Sequence, residues 1–126
     1  MLMAFGITTV NAGTVISTDF KKPGNHIYLV RHTPRENHMP DTAQLKDNFG
    51  FVSENIERGN ILAAWSVGFG GVAEGLAKMA FGNRIGAEVE MDEAELFGYA
   101  YGSILVESAV ELTHPAAGLL GMTAAE

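Results

Sequence analysis

The stretch Ile61-Leu62-Ala63-Ala64-Trp65-Ser66-Val67-Gly68-Phe69-Gly70-Gly71 constrains this chain most. An apolar run of strand length meets a glycine-rich turn. Val72, Leu76, Met79 and Ala80 then follow at i, i+4, i+7 and i+8, the spacing of one helical face. The residues predict a strand, a tight turn and a helix N-terminus. The first turn of a helix leaves backbone N–H groups without intrahelical partners, and glycines lacking Cβ let an anion approach them closely.

Length and composition bound what such a junction can serve. The 126 residues suit one domain spanning 1–126, and 47% apolar residues suffice for an ordinary core. Fifteen acidic against eight basic residues give a net charge of -7, and the basic residues are scattered, which argues against nucleic acid or a membrane surface as partner. The absence of cysteine excludes disulfides and thiolate chemistry and is compatible with a cytoplasmic location. No span approaches the length needed to cross a bilayer. Residues 1–10 lack a basic leader and are broken by Thr8, Thr9 and Asn11, so they read as a strand rather than a signal peptide. The chain starts inside that strand-like pattern and finishes at Ala124-Ala125-Glu126 without a helix stop signal, as expected of a fragment excised from something longer.

Along the chain, residues 4–10 are rich in β-branched side chains and predict a first strand. Thr18 can cap a helical turn over residues 18–22, stopped by Pro23-Gly24. The apolar run from His26 to Arg31 predicts a strand buried on both faces. Two prolines mark residues 33–41 as a loop. Leu45, Phe49, Val52 and Ile56 share one helical face, Gly59 sits at the C-terminal cap, and Phe51 points to the other side as a candidate contact surface. After the Ile61 strand and the Val72 helix, residues 87–91 alternate with period two. Asp92, Glu93 and Glu95 suit the start of a short helix, and residues 102–107 give the last clear strand. Strands alternating with helices predict an α+β fold in α/β/α layers, with a mixed sheet of four to six strands and helices packed on it.

Several elements together carry a family resemblance. The strand, glycine turn and helix with Ala77-Lys78-Met79-Ala80-Phe81-Gly82, then Gly86-Ala87-Glu88-Val89-Glu90 and Leu96-Phe97-Gly98-Tyr99-Ala100-Tyr101-Gly102-Ser103-Ile104-Leu105-Val106, resemble the C-terminal domain of the aminoimidazole ribonucleotide (AIR) synthetase superfamily. Within it, the likeness is to the phosphoribosylformylglycinamidine synthases, which carry two such domains. Phe20-Lys21-Lys22-Pro23-Gly24-Asn25 and Phe81-Gly82-Asn83-Arg84-Ile85-Gly86 are similar to the second copy. The resemblance implies a fold like the AIR synthetase C-terminal domain, partly ferredoxin-like. It also implies a parent enzyme that uses ATP, magnesium and glutamine to convert formylglycinamide ribonucleotide into its amidine.

At the glycine turn the family pattern His-Asp-x-Ser-Asp-Gly-Gly stands here as Trp65-Ser66-Val67-Gly68-Phe69-Gly70-Gly71. The family's aspartate that helps hold magnesium is Ser66, its phosphate-touching serine is Gly68, and its second aspartate is Phe69. A hydroxyl offers a hard cation no negative charge. Near the end, the family's Leu-Phe-Ser-Glu-x-x-Gly-Arg becomes Leu96-Phe97-Gly98-Tyr99-Ala100-Tyr101-Gly102-Ser103, without carboxylate or guanidinium. Ser66, Gly68, Gly70 and Gly71 are thus a degenerate, weak nucleotide-phosphate site, with no metal ligands and no catalytic residue. The other reading of the glycines, that a sharp turn needs positive φ or close packing, is favoured.

Other candidates are weaker. His32 and His38 flank Arg35 and Glu36 without a third ligand nearby, which favours a solvated loop. Glu88 and Glu90 share a strand face with a spacing suited to paired acid–base work, yet read more simply as its wet side. Trp65 reads as a core or interface anchor. The expected partners are the ATP-binding domain, the first superfamily copy and the glutaminase domain of the same parent chain, with self-association of the fragment through exposed apolar surface. The fragment alone should be inactive. The alternatives are a purely structural half with a lost nucleotide site, or a domain of a sister enzyme such as selenophosphate synthetase or thiamine-phosphate kinase.

Overall fold

The computed structural model describes Met1 and residues 3–125. Strands β1 (His26–Val30), β2 (Ile61–Ser66), β3 (Gly86–Val89), β4 (Ile104–Ser108) and β5 (Ala117–Ala124) form one sheet, with helices α1 (Thr42–Glu57), α2 (Gly71–Phe81) and α3 (Glu93–Leu96). The order across the sheet is β2-β4-β1-β5-β3, and each neighbouring pair is antiparallel. The α+β class is as expected, but the sheet is not mixed. Strands β1, β2 and β3 run in one direction, joined by crossovers through α1 and α2. Strands β4 and β5 insert between them in the opposite sense, so parallel strands are never adjacent. This is the split βαβ interleaving of ferredoxin-like folds.

The core lies on both sheet faces. On one, Ile27, Leu29, Ala63 and Leu105 pack with Val72 and Met79 of α2. On the other, Tyr28, Val30, Ile61 and Val106 pack with Val52 of α1. Burial on both sides explains the uninterrupted apolar runs of β1 and β4. The Asp41 carboxylate caps α1 by accepting from the N–H groups of Ala43 and Gln44, each at 3.1 Å. At the other end Gly59 adopts φ +74°, and the N–H groups of Gly59 and Asn60 donate to the carbonyls of Ile56 and Asn55. That pair of bonds is the left-handed stop expected from Gly59.

The structure corrects several further expectations. Residues 4–10 form no strand: Phe5 and Ile7 are over 90% exposed, because no strand among the described residues pairs with them. Residues 18–22 make a bend, not a helical turn. Phe20 is buried there and its N–H donates to the Met79 carbonyl, while the N–H groups of Lys21 and Lys22 turn inward to the Glu107 carboxylate. Phe49 is exposed, whereas Phe51 is half-buried and stacks on His114 with ring centroids 4.3 Å apart. Asn48, Val52 and Asn55 line the buried seam of α1, which rotates Phe49 outward. The alternating strand stops at Val89 rather than Met91, because Glu90 leaves the ladder after one bond to the Leu120 carbonyl. Finally, the residues beyond the last clear strand signal form a further strand, β5, within the expected four to six.

Glu107, next to last in β4, is fully buried. It accepts hydrogen bonds from Lys21 N–H at 2.7 Å, Lys22 N–H at 3.2 Å and the Asn25 side-chain amide at 2.6 Å. A single carboxylate therefore fixes the segment that leads into β1. Among the described residues, no helix is long and apolar enough to cross a membrane.

Candidate functional site

The β2–α2 junction folds as the strand, turn and helix read from the sequence. Ser66 is the exposed last residue of β2, and the buried Val67 donates its N–H to the Ser103 carbonyl at 3.0 Å. The Gly71 N–H closes the turn onto the Gly68 carbonyl at 3.2 Å. Gly71 itself adopts φ +68°, and a Cβ there would lie 2.8 Å from the carbonyl oxygens of both Leu96 and Gly98. The loop after α3 is thus pressed against the first residue of α2, and only glycine admits both the φ and the contact. Gly68 is different: a Cβ would meet only the Glu74 carboxylate, at 3.6 Å.

The helix N-terminus is occupied by the chain's own acid. Glu74 folds back so that Oε2 accepts from the Gly70 N–H at 2.9 Å, while Oε1 accepts from Lys78 Nζ at 2.5 Å. The Lys78 ammonium also lies 5.1 Å from the centroid of the Trp65 ring. Trp65 is half-buried against α2, and Gly75 leaves room for it: a Cβ on Gly75 would be 3.0 Å from the indole. The Lys78 hydrogen bond, followed by that of Gly70, holds the Glu74 carboxyl below its ordinary value of 4.5. Because the folded value is the lower one, ionised Glu74 stabilises the fold above pH 4.5 and ceases to do so as the pH falls through the folded value. We expect Glu74→Gln to melt below the parent chain at neutral pH and the two melting temperatures to converge in acid. A constant difference at every pH would contradict the carboxylate's role.

Aromatic side chains cover the turn where the family pattern has polar ones. Phe69 is 75% exposed and lies 5.6 Å from Tyr99, which stacks on Tyr101 at 5.9 Å. Tyr99 and Tyr101 also line a cavity of about 470 Å³ with His32, Pro34, His38 and Pro40. His32 is buried, and both ring nitrogens are engaged: Nε2 accepts from the Asp41 N–H at 3.1 Å, which assigns the Nδ1 proton to the Tyr101 carbonyl at 3.0 Å. Rather than lying in a solvated loop, His32 ties the start of α1 to the approach to β4. His38 is exposed, with φ +59°.

Among the described residues, no group of three His, Asp or Glu side chains is arranged to hold a metal ion. Magnesium does not fit the turn. Ser66 brings a neutral hydroxyl, Phe69 an apolar ring, and the Glu74 carboxylate is committed to Gly70 and Lys78. Glu88 and Glu90 line a shallow exposed depression with Leu119 and Met122. Asp92 caps α3 by accepting from the Ala94 N–H at 3.0 Å, and Glu95 pairs with Arg31 at 3.2 Å. Sequence reasoning missed Glu74 and Glu107. The spacing Gly70-Glu74-Lys78, four residues each way, was a usable signal for the first; a lone acid in an apolar strand gave none for the second.

Comparison with known proteins bears on the fold and the family. The chain resembles in fold the structure of PurLQS from Thermotoga maritima, with a TM-score of 0.74 at 17% identity over 93% of this chain. It also resembles T. maritima PurL complexed with ATP, with a TM-score of 0.68 at 15% identity over 93% of this chain. A third likeness is to T. maritima PurL complexed with AMPPCP, with a TM-score of 0.64 at 19% identity over 79%. The chain spans 25%, 24% and 19% of those chains, respectively. No curated relative matches it. The family model for the C-terminal domain of AIR synthase related proteins matches residues 22–114, and the chain belongs to that family.

Proposed function

We propose that residues 1–126 are the second AIR-synthase-type C-terminal domain of a phosphoribosylformylglycinamidine synthase, serving as a structural half rather than a catalytic one. The parent is a cytoplasmic ligase that uses ATP, magnesium and glutamine to convert formylglycinamide ribonucleotide into its amidine. The family membership and the likeness in fold to the T. maritima proteins support this reading, together with the Phe20–Asn25 and Phe81–Gly86 motifs. The partners are then the first superfamily copy, an ATP-binding domain and a glutaminase domain.

The observation that carries the non-catalytic part is the Glu74 carboxylate on the Gly70 N–H. Of the donors that Ser66, Gly68, Gly70 and Gly71 would offer to a phosphate, the Gly70 N–H already carries this anion, which Lys78 holds in place, and the Gly71 N–H is spent on the Gly68 carbonyl. A nucleotide phosphate would have to displace a charge-assisted bond and approach a carboxylate, so binding at these residues is weak. The test is reconstitution with the remaining domains of such a synthase, following ADP release with formylglycinamide ribonucleotide, ATP and ammonia. The chain alone should release none above blank, and omitting it should abolish turnover by the rest. Turnover by the chain alone, or no effect of leaving it out, would contradict the assignment.

A further inference from the structure

Residues 3–10 carry Met3, Phe5, Ile7 and Val10, each at least 70% exposed, in a segment whose sequence has strand character but which pairs with no strand among the described residues. Four large apolar side chains so close together are far from the isolated exposed residues of an ordinary surface. The sheet, meanwhile, has two edges. β3 is the short one, four residues long, and carries the exposed Glu88 with Glu90 just beyond it, charges that discourage edge pairing. β2 is six residues long, Ile-Leu-Ala-Ala-Trp-Ser, pairs among the described residues only with β4 and carries no charge. Val67 donates inward to Ser103, so strand alternation turns the N–H and C=O groups of Ala64 and Ser66 toward the free edge.

We propose that residues 3–10 of one copy add as a sixth strand to the β2 edge of a second copy, and reciprocally, giving a two-fold dimer. The donor and acceptor lie close together in each copy. Ile16 packs against the core cluster that holds Ile61, and Gly13, Thr14 and Ile16 line a cavity with Ile61 and Leu62, so the segment departs next to its own β2. Two copies facing each other across their β2 edges can therefore exchange segments over a short gap, and identical copies close the arrangement. Lengths also match: extended residues 3–10 reach about 26 Å and β2 about 20 Å at roughly 3.3 Å per residue. The pairing gives the unpaired edge groups partners and removes Phe5 and Ile7 from water.

The test is light scattering with hydrogen exchange on the chain as it is. The mass should be twice 13.4 kDa, with the Ala64 and Ser66 amides gaining protection as concentration rises. The double substitution Phe5→Lys, Ile7→Lys should return the mass to one chain and abolish that protection. At a concentration low enough for the parent chain to be a monomer, its circular dichroism should match the parent's, since neither side chain packs on the body. A monomer at every concentration, or a dimer that survives both lysines, would overturn the proposal. Protection of Ala64 and Ser66 in a monomer would overturn it too, by showing that the segment folds onto its own β2.

Discussion

Alanine at Gly71 lowers the stability of the chain by about 3 kcal/mol, with roughly 1–2 from forcing a residue with Cβ into the left-handed region and the rest from displacing the loop after α3. The displacement is unavoidable because the new Cβ meets two backbone oxygens, of Leu96 and Gly98, each at 2.8 Å. Neither can rotate away as a flexible side chain would. Alanine at Gly68, in the same turn, changes stability by less than about 0.5 kcal/mol. It is not in the left-handed region, and its Cβ would only touch the movable end of Glu74. Urea denaturation of the two variants separates the explanations of the glycines. If they were retained for phosphate, both substitutions would be near neutral for folding; if for the bend, only the change at Gly71 is costly.

Removing the Glu107 side chain has an effect of similar size by a different route. Glu107→Ala should destabilise by about 3 kcal/mol, because bonds to a buried charge contribute more than neutral ones and the pocket left behind is not refilled. Glu107→Gln retains one oxygen acceptor and should cost less, about 1–2 kcal/mol. The denaturation midpoint should fall with little change in slope, since the sheet remains intact. Equal stabilities for the parent and both variants would mean that the carboxylate does not hold residues 21–25.

Much of the fold could be read from periodicity. The apolar runs of β1, β2 and β4 and the helical spacing of α1 and α2 all reappear, because in each the buried positions are mostly apolar. Where polar residues share the buried seam, reading apolarity alone misplaces the face: Asn48 and Asn55 are inside, donating to the carbonyls of Arg31 and Phe51, while Phe49 is outside. β5 was hidden for a related reason. Gly121 weakens any strand signal, yet a Cβ there would lie 1.9 Å from the Glu88 carbonyl oxygen, so the residue that lowers propensity is the one the β3–β5 pairing requires. Residues 4–10 show the converse. Their β-branched composition reads as a strand, but a strand needs a neighbour and the described residues supply none. The site was legible as a bend from its glycines, whereas its internal cap was not sought, although Glu74 stands at helical spacing from both Gly70 and Lys78.

Isothermal titration of the chain with Mg-ATP tests most directly whether the β2–α2 bend still serves a nucleotide. With the Glu74 carboxylate on the Gly70 N–H and no acid at positions 66 or 69, the account predicts no saturable heat up to millimolar nucleotide. Saturable binding at micromolar concentration that is lost in Gly71→Ala but kept in Glu74→Gln would contradict it.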